Sequence, residues 1–372
     1  MNLNRHSVGA WYNHFVRRLV EAERLDTVLF TYMDKVDADL QAAAEVHGRH
    51  VFLERTLAGA RAQIEAERLD VLIYTDVGMH PFPYFLAFSR LARVQVLLVG
   101  HPCTSGIPAI DWFISNVHQD SADAAAHYSE CITRLPLIPV WVAKTAPPAA
   151  PVSRAALGWN VQTRYYMCPM MLQKMHPDFD WALGEILRRD VRAEVVLFAD
   201  REHPLWQDQL QQRFEAVMPD VAQRIGFRRF APKEEFLSLL QAADCVLDPF
   251  HFSGGVTTYV ALSLGVPVVT LPGDFFRSRM TAGIYAQAGV EGCVARSREH
   301  FVELALGIAA DPARRRAIGE RILAAHAKVF ETDAAVEVFA DWLAATAVTA
   351  PSATATPAAA ATAATTLNPE RA

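Results

Sequence analysis

The chain has 372 residues, of which 52% are apolar and 20% charged, with a formal charge of −6. That length supports two ordinary domains with full cores. The mild negative balance gives no electrostatic reason to expect nucleic acid or an anionic membrane surface as partner. The five cysteines are odd in number, scattered and without a C-x-x-C pair, which argues against a disulfide framework or a zinc ribbon and points to a reducing cytoplasm. The N-terminus is polar with no apolar core of a signal peptide, and no apolar run reaches membrane-spanning length.

In chain order, apolar periodicity predicts helices over Val8–Glu23, Val36–His47, Thr56–Glu67 and Pro81–Ala92. Strands are predicted at Thr27–Tyr32, His50–Leu53, Val71–Thr75, Val94–Val99 and Trp112–Ser115. Apolar strands between amphipathic helices mean a parallel sheet covered on both faces. The four prolines among alanines in residues 143–157 mark an interdomain linker. A second alternation follows: strand Tyr165–Pro169, helix Asp180–Arg189, strand Glu194–Ala199, helix Trp206–Val217, strand Gly226–Phe230 and helix Lys233–Ala242. A strand over Cys245–Pro249, a helix from Val256 and a strand over Val266–Leu271 come next, then a helix over Arg277–Gln287 and terminal helices to about Ala345. The expected division is 1–142, a linker, 158–345, and an Ala/Thr/Pro tail over 346–372 that cannot bury a core and is expected to be disordered. The fold class is α/β: two Rossmann-like doubly wound domains facing a cleft, with ligands at the carboxyl ends of the strands.

The most informative stretch is Asp248–Gly273. A strand ending at Pro249, the loop Ser253-Gly254-Gly255 and a helix N-terminus leave backbone N–H groups unpaired, with the positive end of a helix dipole behind them. Such a turn suits an anion, a diphosphate above all, and Thr257 and Thr258 would add hydroxyl donors. The same glycines also suit a plain βαβ turn. Lys174 and Lys233 are either anion-binding cations or solvated surface charges, the commoner fate of lysine. Lys233 opens a helix, where a bound anion would offset its conflict with the dipole. Asp76 ends a strand and His80 follows just beyond it; His80 is either a proton-handling group or a turn residue satisfied by backbone.

Six blocks, read together and in order, resemble one family: residues 76–80, 100–115, 127–136, 168–180, 231–236 and the Asp248–Gly273 stretch. It is the O-GlcNAc transferase/SPINDLY family of inverting glycosyltransferases, in its bacterial form without tetratricopeptide repeats. The resemblance covers roughly residues 5–330 and implies GT-B architecture, a UDP-sugar co-substrate held mainly by the C-terminal domain, no metal and no other cofactor, and a protein acceptor. It implies that Lys174, Lys233, Thr257 and Thr258, with the Gly254 and Gly255 amides, serve the nucleotide diphosphate. It implies that His80, Asp76 and His6 lie at the reaction centre, and that His101, Thr104, Ser105 and Gly106 form a loop toward the sugar. Phe236 would stack on the base, and His251 would support the central loop. Departures also stand out: Val260 occupies the place of the ribose-binding acid, Phe236 and Leu239 fall where animal relatives have a histidine and an arginine, and Val256 replaces a polar residue. Relatives also place a strand before the segment matching Arg5–Gly9, so an incomplete first sheet, or a true start upstream, is expected. A nucleotide-sugar epimerase and a non-catalytic scaffold descended from a transferase are the alternative readings.

Overall fold

The computed structural model describes residues 7–32, 42, 45, 48–150, 152–199, 203–229 and 232–349. The expected helix Val36–His47 and the expected tail beyond 349 lie largely or wholly outside these. The chain divides into two units, residues 1–142 with 332–372, and residues 143–331. This corrects the expected division: the terminal helix returns to the first unit instead of closing the second. The reason is packing. The helix Asp333–Thr349 sets Phe339 against Phe15 at 5.4 Å and Trp342 against Trp112 at 5.9 Å, and its Glu337 and Asp341 pair with Arg24. The expected linker is no free tether either. Thr145 N–H donates to Ser263, and Arg154 pairs with Asp244 at 2.7 Å, so it lies along the second unit.

The second unit contains β7 (Arg164–Met167), α4 (Pro177–Arg189), β8 (Ala193–Ala199), α5 (Pro204–Val217), β9 (Ile225–Arg229) and α6 (Lys233–Ala242). It continues through β10 (Cys245–Leu247), α7 (Val256–Ser263), β11 (Val268–Val269), α8 (Met280–Ala288), α9 (Arg298–Ala310) and α10 (Pro312–Ala324). Its sheet is wholly parallel in the order β11-β10-β7-β8-β9. The winding starts at β7, runs outward through β8 and β9, then returns to β10 on the other side of β7. The direction therefore reverses between β7 and β10, and loops at the carboxyl ends of two such strands splay apart to leave a ligand crevice. Continuous burial of Tyr165, Tyr166 and Met167 and of Cys245, Val246 and Leu247 explains why these strands read as unbroken apolar runs.

The first unit contains α1 (Ser7–Glu21), β1 (Val28–Thr31), β2 (Arg49–Phe52), α2 (Leu57–Ala66), β3 (Val71–Tyr74) and α3 (Pro81–Leu86). After them come β4 (Val94–Leu97), β5 (Trp112–Asn116) and β6 (Cys131–Leu135), and the terminal helix is α11 (Asp333–Thr349). Strand β6 is absent from the sequence reading, because the alternating Cys-Ile-Thr-Arg-Leu lacks an apolar run. Among the described residues the sheet is broken in two: β1 pairs only with β2, while β3-β4-β5-β6 form a separate parallel sheet. A cavity of about 320 Å³ separates β1 from β3, lined by Leu29, Phe30 and Tyr32 on one side and Leu72, Tyr74 and Thr75 on the other. Phe15 and Leu19 of α1 and Phe339 and Leu343 of α11 also line it. None of the five cysteines forms a disulfide. Among the described residues no helix is long and apolar enough to cross a membrane.

Candidate functional site

In the second unit, the reversal point gathers the loops after β7 and β10. Residues 168–171 lead from β7 into a short 3-10 turn, Leu172–Lys174, with Leu172 buried as its anchor. That anchor turns Lys174 toward the other loop, where its Nζ donates to the Ser253 carbonyl at 2.9 Å and sits 4.4 Å from the Phe252 ring centroid. Burial lowers the Lys174 ammonium from its ordinary value, and the nearby Asp248 carboxylate opposes that shift. Lys174 is therefore not a solvated surface charge; it belongs to the wall of the glycine loop.

The loop itself is held by Asp248, which is 1% exposed at the end of β10. Its Oδ1 accepts from Gly254 N–H at 2.6 Å and its Oδ2 from Thr270 Oγ1 at 2.7 Å. Burial raises the Asp248 carboxyl above the ordinary range, against the hydrogen bonds from Thr270 and Gly254. Gly254 has no room for a side chain, since a Cβ there would lie 2.3 Å from the Met170 methyl and 2.4 Å from Thr258 Oγ1. Gly255 then caps α7 without any side-chain hydrogen bond, leaving the helix N-terminus to its own amides. Thr257 is half-exposed in this first turn. Thr258 is fully buried and bonds Thr281 Oγ1 at 2.9 Å, while Ser253 Oγ donates to the same Thr281 oxygen at 3.0 Å. The structure thus corrects the expectation of two hydroxyl donors: Thr257 is half-exposed, while Thr258 is a tie beneath the loop.

The remaining residues of the second unit divide. Phe236 is half-exposed and meets Phe198 in a T-shaped contact at 5.7 Å. Leu239 is fully buried, which explains why no arginine stands there. Lys233 is exposed at the first turn of α6, and among the described residues no hydrogen bond or ion pair ties it to the Lys174 group. His251 adopts a left-handed backbone conformation, φ +67°, and its Nε2 lies 2.7 Å from Asp178 Oδ2.

In the first unit, Asp76 at the carboxyl end of β3 is 1% exposed and accepts from Tyr32 Oη at 3.3 Å. Burial, followed by the Asp76 charge, pushes the Tyr32 phenol far up, so it remains a donor. His80 is the N-cap of α3: its Nδ1 accepts from Phe82 N–H at 3.1 Å, with Pro81 next in line. A neutral imidazole that accepts at Nδ1 carries its proton on Nε2. Nε2 of His80 is then a donor, which fits stabilising an oxygen better than removing a proton. Gly78, at φ +88°, lets the β3 loop rest on the next one, since a Cβ there would sit 3.0 Å from His101 Cβ.

The loop after β4 is organised by a residue the sequence reading did not single out. Glu130, 6% exposed, accepts from Thr104 Oγ1 and from Ser105 N–H, each at 2.7 Å, and from Ser105 Oγ. Burial alone would raise this carboxyl, but the bonds from Ser105 and Thr104 together hold it below the ordinary range. The Thr104 and Ser105 hydroxyls are thus spent on Glu130, leaving Gly106, at φ +67°, as backbone at the turn. With β6 itself unread, the sequence carried no signal that singled out Glu130. His6 lies outside the described residues.

Residues 172–338 match the model of glycosyl transferase family 41. The chain is 26% identical over 228 residues to a probable UDP-N-acetylglucosamine–peptide N-acetylglucosaminyltransferase SPINDLY of Solanum lycopersicum, covering 60% of this chain and 24% of that protein. It is 23% identical over 265 residues to the UDP-glucose:protein N-beta-glucosyltransferase of Actinobacillus pleuropneumoniae, covering 69% and 41%. The chain thus spans about a quarter of the length of the SPINDLY relatives it matches. In fold it is similar to a mutant of the Thermobaculum terrenum O-GlcNAc transferase, with TM-score 0.79 and 22% identity over 93% of this chain and 66% of that one. It is also similar to Anabaena HepE solved with UDP and glucose, with TM-score 0.56 and 14% identity over 90% and 95%. Residues 172–338 thus carry a glycosyl transferase family 41 segment, and the chain is similar in sequence to O-GlcNAc transferase/SPINDLY proteins and has the GT-B fold.

Proposed function

We propose that this chain transfers a sugar, GlcNAc first among the donors to test, from a UDP-sugar to a protein side chain, by single displacement and without a metal. The observation that carries the reading is the second unit's reversal point: the Lys174 ammonium is bonded to the glycine loop whose amides open α7. Loss of a nucleoside diphosphate develops negative charge, and fixed donors in a partly water-excluded pocket stabilise such charge without reorganising. Lys174, the Gly254 and Gly255 region, and Thr257 would hold the diphosphate, with half-exposed Phe236 against the base. Without an acid at Val260 the ribose is held by other groups, so nucleotide selectivity rests more on the base and the phosphates.

In the first unit, the Asp76 carboxylate, oriented by Tyr32, would take the acceptor proton, and His80 would donate from Nε2 to a reacting oxygen. His101 and the Glu130-held backbone at Ser105 and Gly106 would shape the sugar-facing loop. Support for the donor and acceptor classes comes from the relatives, which are named as enzymes acting from UDP-sugars on peptide or protein.

The deciding experiment incubates the purified chain with UDP-GlcNAc or UDP-glucose and a library of Ser/Thr- and Asn-containing peptides in EDTA, with mass spectrometry of the peptides. The expected product is a peptide heavier by one hexosamine or hexose. A new sugar nucleotide formed without peptide would instead identify an epimerase. Activity that requires added magnesium would overturn the metal-free step.

A further inference from the structure

Three side chains converge beside the glycine loop without entering the chemistry above. His176 and Asp178 open α4, and His251 follows the Asp248-Pro249-Phe250 turn. One ligand-bearing atom from each lies within 4.8 Å of the other two. The separate distances are 2.7 Å from His251 Nε2 to Asp178 Oδ2 and 3.5 Å from His176 Nδ1 to the same oxygen, with the imidazoles edge-to-face at 4.4 Å. We propose that His176, Asp178 and His251 form a binding site for a divalent transition metal, zinc being the first to test. This site is separate from the sugar-transfer reading and stands whether or not that reading holds.

The chemistry of the set selects the metal. Two imidazoles and one carboxylate suit zinc, cobalt, nickel or copper, whereas magnesium and calcium ask for all-oxygen surroundings. Zinc–nitrogen and zinc–oxygen bonds of about 2.0–2.2 Å place donor atoms roughly 3.3 Å apart in a tetrahedron. Side-chain rotation closes the present spacing, because both histidines are exposed and Asp178 is half-exposed. The backbones need not move. Phe179 and Phe250, both buried and packed at 5.2 Å, fix the start of α4 against the β10 loop directly behind the three ligands. His251 holds its left-handed conformation, φ +67°, in this arrangement.

Two features oppose a cation: the positive end of α4, and Arg298, whose Nη1 is 3.8 Å from Asp178 Oδ1. Neither fills the site. Arg298 reaches only the outer oxygen of Asp178 and lies over the Trp181 ring, leaving Oδ2 toward both imidazoles. A bound metal would clip residues 174–178 to residues 248–251 and so stiffen both loops of the reversal point.

The test uses the untagged full-length chain, stripped with EDTA and dialysed, titrated separately with Co2+, Zn2+ and Mg2+. The variant is the double substitution His176→Asn and His251→Asn. Asparagine serves as an N-cap at the first position and tolerates the left-handed backbone at the second, so the fold is kept while both imidazoles go. The expected result is one equivalent of Co2+ with visible ligand-field absorption, displaced by Zn2+ and unmoved by Mg2+. The double variant should bind Zn2+ at least about tenfold more weakly, since even outer-shell losses cost ten- to a hundredfold. Absence of Zn2+ and Co2+ binding by the parent overturns the proposal without reference to any variant. Equal binding by parent and double variant overturns it as well.

Discussion

Asp248→Ala probes the link between the buried core of the second unit and its glycine loop. The substitution removes the acceptor for Gly254 N–H at 2.6 Å and for Thr270 Oγ1 at 2.7 Å. Both donors are buried, so neither recovers a water partner. Each orphaned group costs about 1–3 kcal/mol. Relief of the desolvated carboxylate offsets part of this, so the expected loss is roughly 2–4 kcal/mol. For a domain of about 150–250 residues, each kcal/mol lowers Tm by roughly 2–4 °C. Asp248→Asn keeps one good acceptor and should lose about half as much.

The pH dependence has a definite sign. The folded Asp248 carboxyl lies above its ordinary value because of burial. Its protonated form therefore favours the folded state, fully below the unfolded value of about 3.9, and this contribution shrinks as pH rises through the folded value. The stability gap between the parent and Asp248→Ala should be widest in acid and narrow toward neutrality. Urea melts from pH 4 to 7, with calorimetric UDP binding on the same samples, measure both effects. A loss under about 1 kcal/mol, or an alanine variant more stable than the asparagine one, would refute the assignment of Asp248 as the loop's anchor.

Lys174→Ala should weaken UDP far more than uridine, because the missing group is a charge-assisted donor worth about 1.5–3 kcal/mol; equal losses for both ligands would place the lysine elsewhere. His80→Asn keeps an N-cap for α3, so melting should be nearly unchanged while turnover with peptide falls by roughly a hundredfold or more; normal turnover would leave His80 a cap and nothing else. Glu130→Gln should show a pH trend opposite to that of Asp248. Its folded carboxyl is held below the ordinary value, so its stabilisation is full above about pH 4.3 and fades as pH falls through the folded value. A parent-to-variant gap in Tm that widened on acidification would contradict the hydrogen-bond count at Ser105 and Thr104.

Much of this architecture was legible because it rests on local signals. The buried runs of β7 and β10, and the small-residue loop before α7, declare themselves by apolar continuity and by glycine. What stayed hidden was decided across long sequence separations. Thr258 reads as a helix-opening donor until Thr281 takes its oxygen from 23 residues away. Thr104 and Ser105 read as ligand hydroxyls until Glu130, a turn and a strand later, claims both. His80 was visible as a histidine before proline, but its tautomer follows from one backbone amide two residues on. The return of α11 to the first unit depends on Phe15, Arg24 and Trp112, none of which is near it in sequence.

The broken sheet of the first unit shows where local reading and energetics meet. An empty apolar cavity costs about 24 cal/mol per Å³, so 320 Å³ between β1 and β3 would cost about 8 kcal/mol if dry. That is as large as the whole stability of a typical domain, about 5–15 kcal/mol. The walls are not uniformly apolar: the Tyr74 and Thr75 hydroxyls are buried there without partners, and the facing edges of β1 and β3 pair with no strand among the described residues. A space with hydroxyls and backbone polar groups on its walls favours water or peptide over vacuum, because either satisfies groups that hydrocarbon cannot. The stability of the first unit therefore depends on what fills this slot. The second unit, whose five strands pair without a break, carries no such debt, and its loop geometry at Asp248 and Lys174 is correspondingly better determined by its own residues.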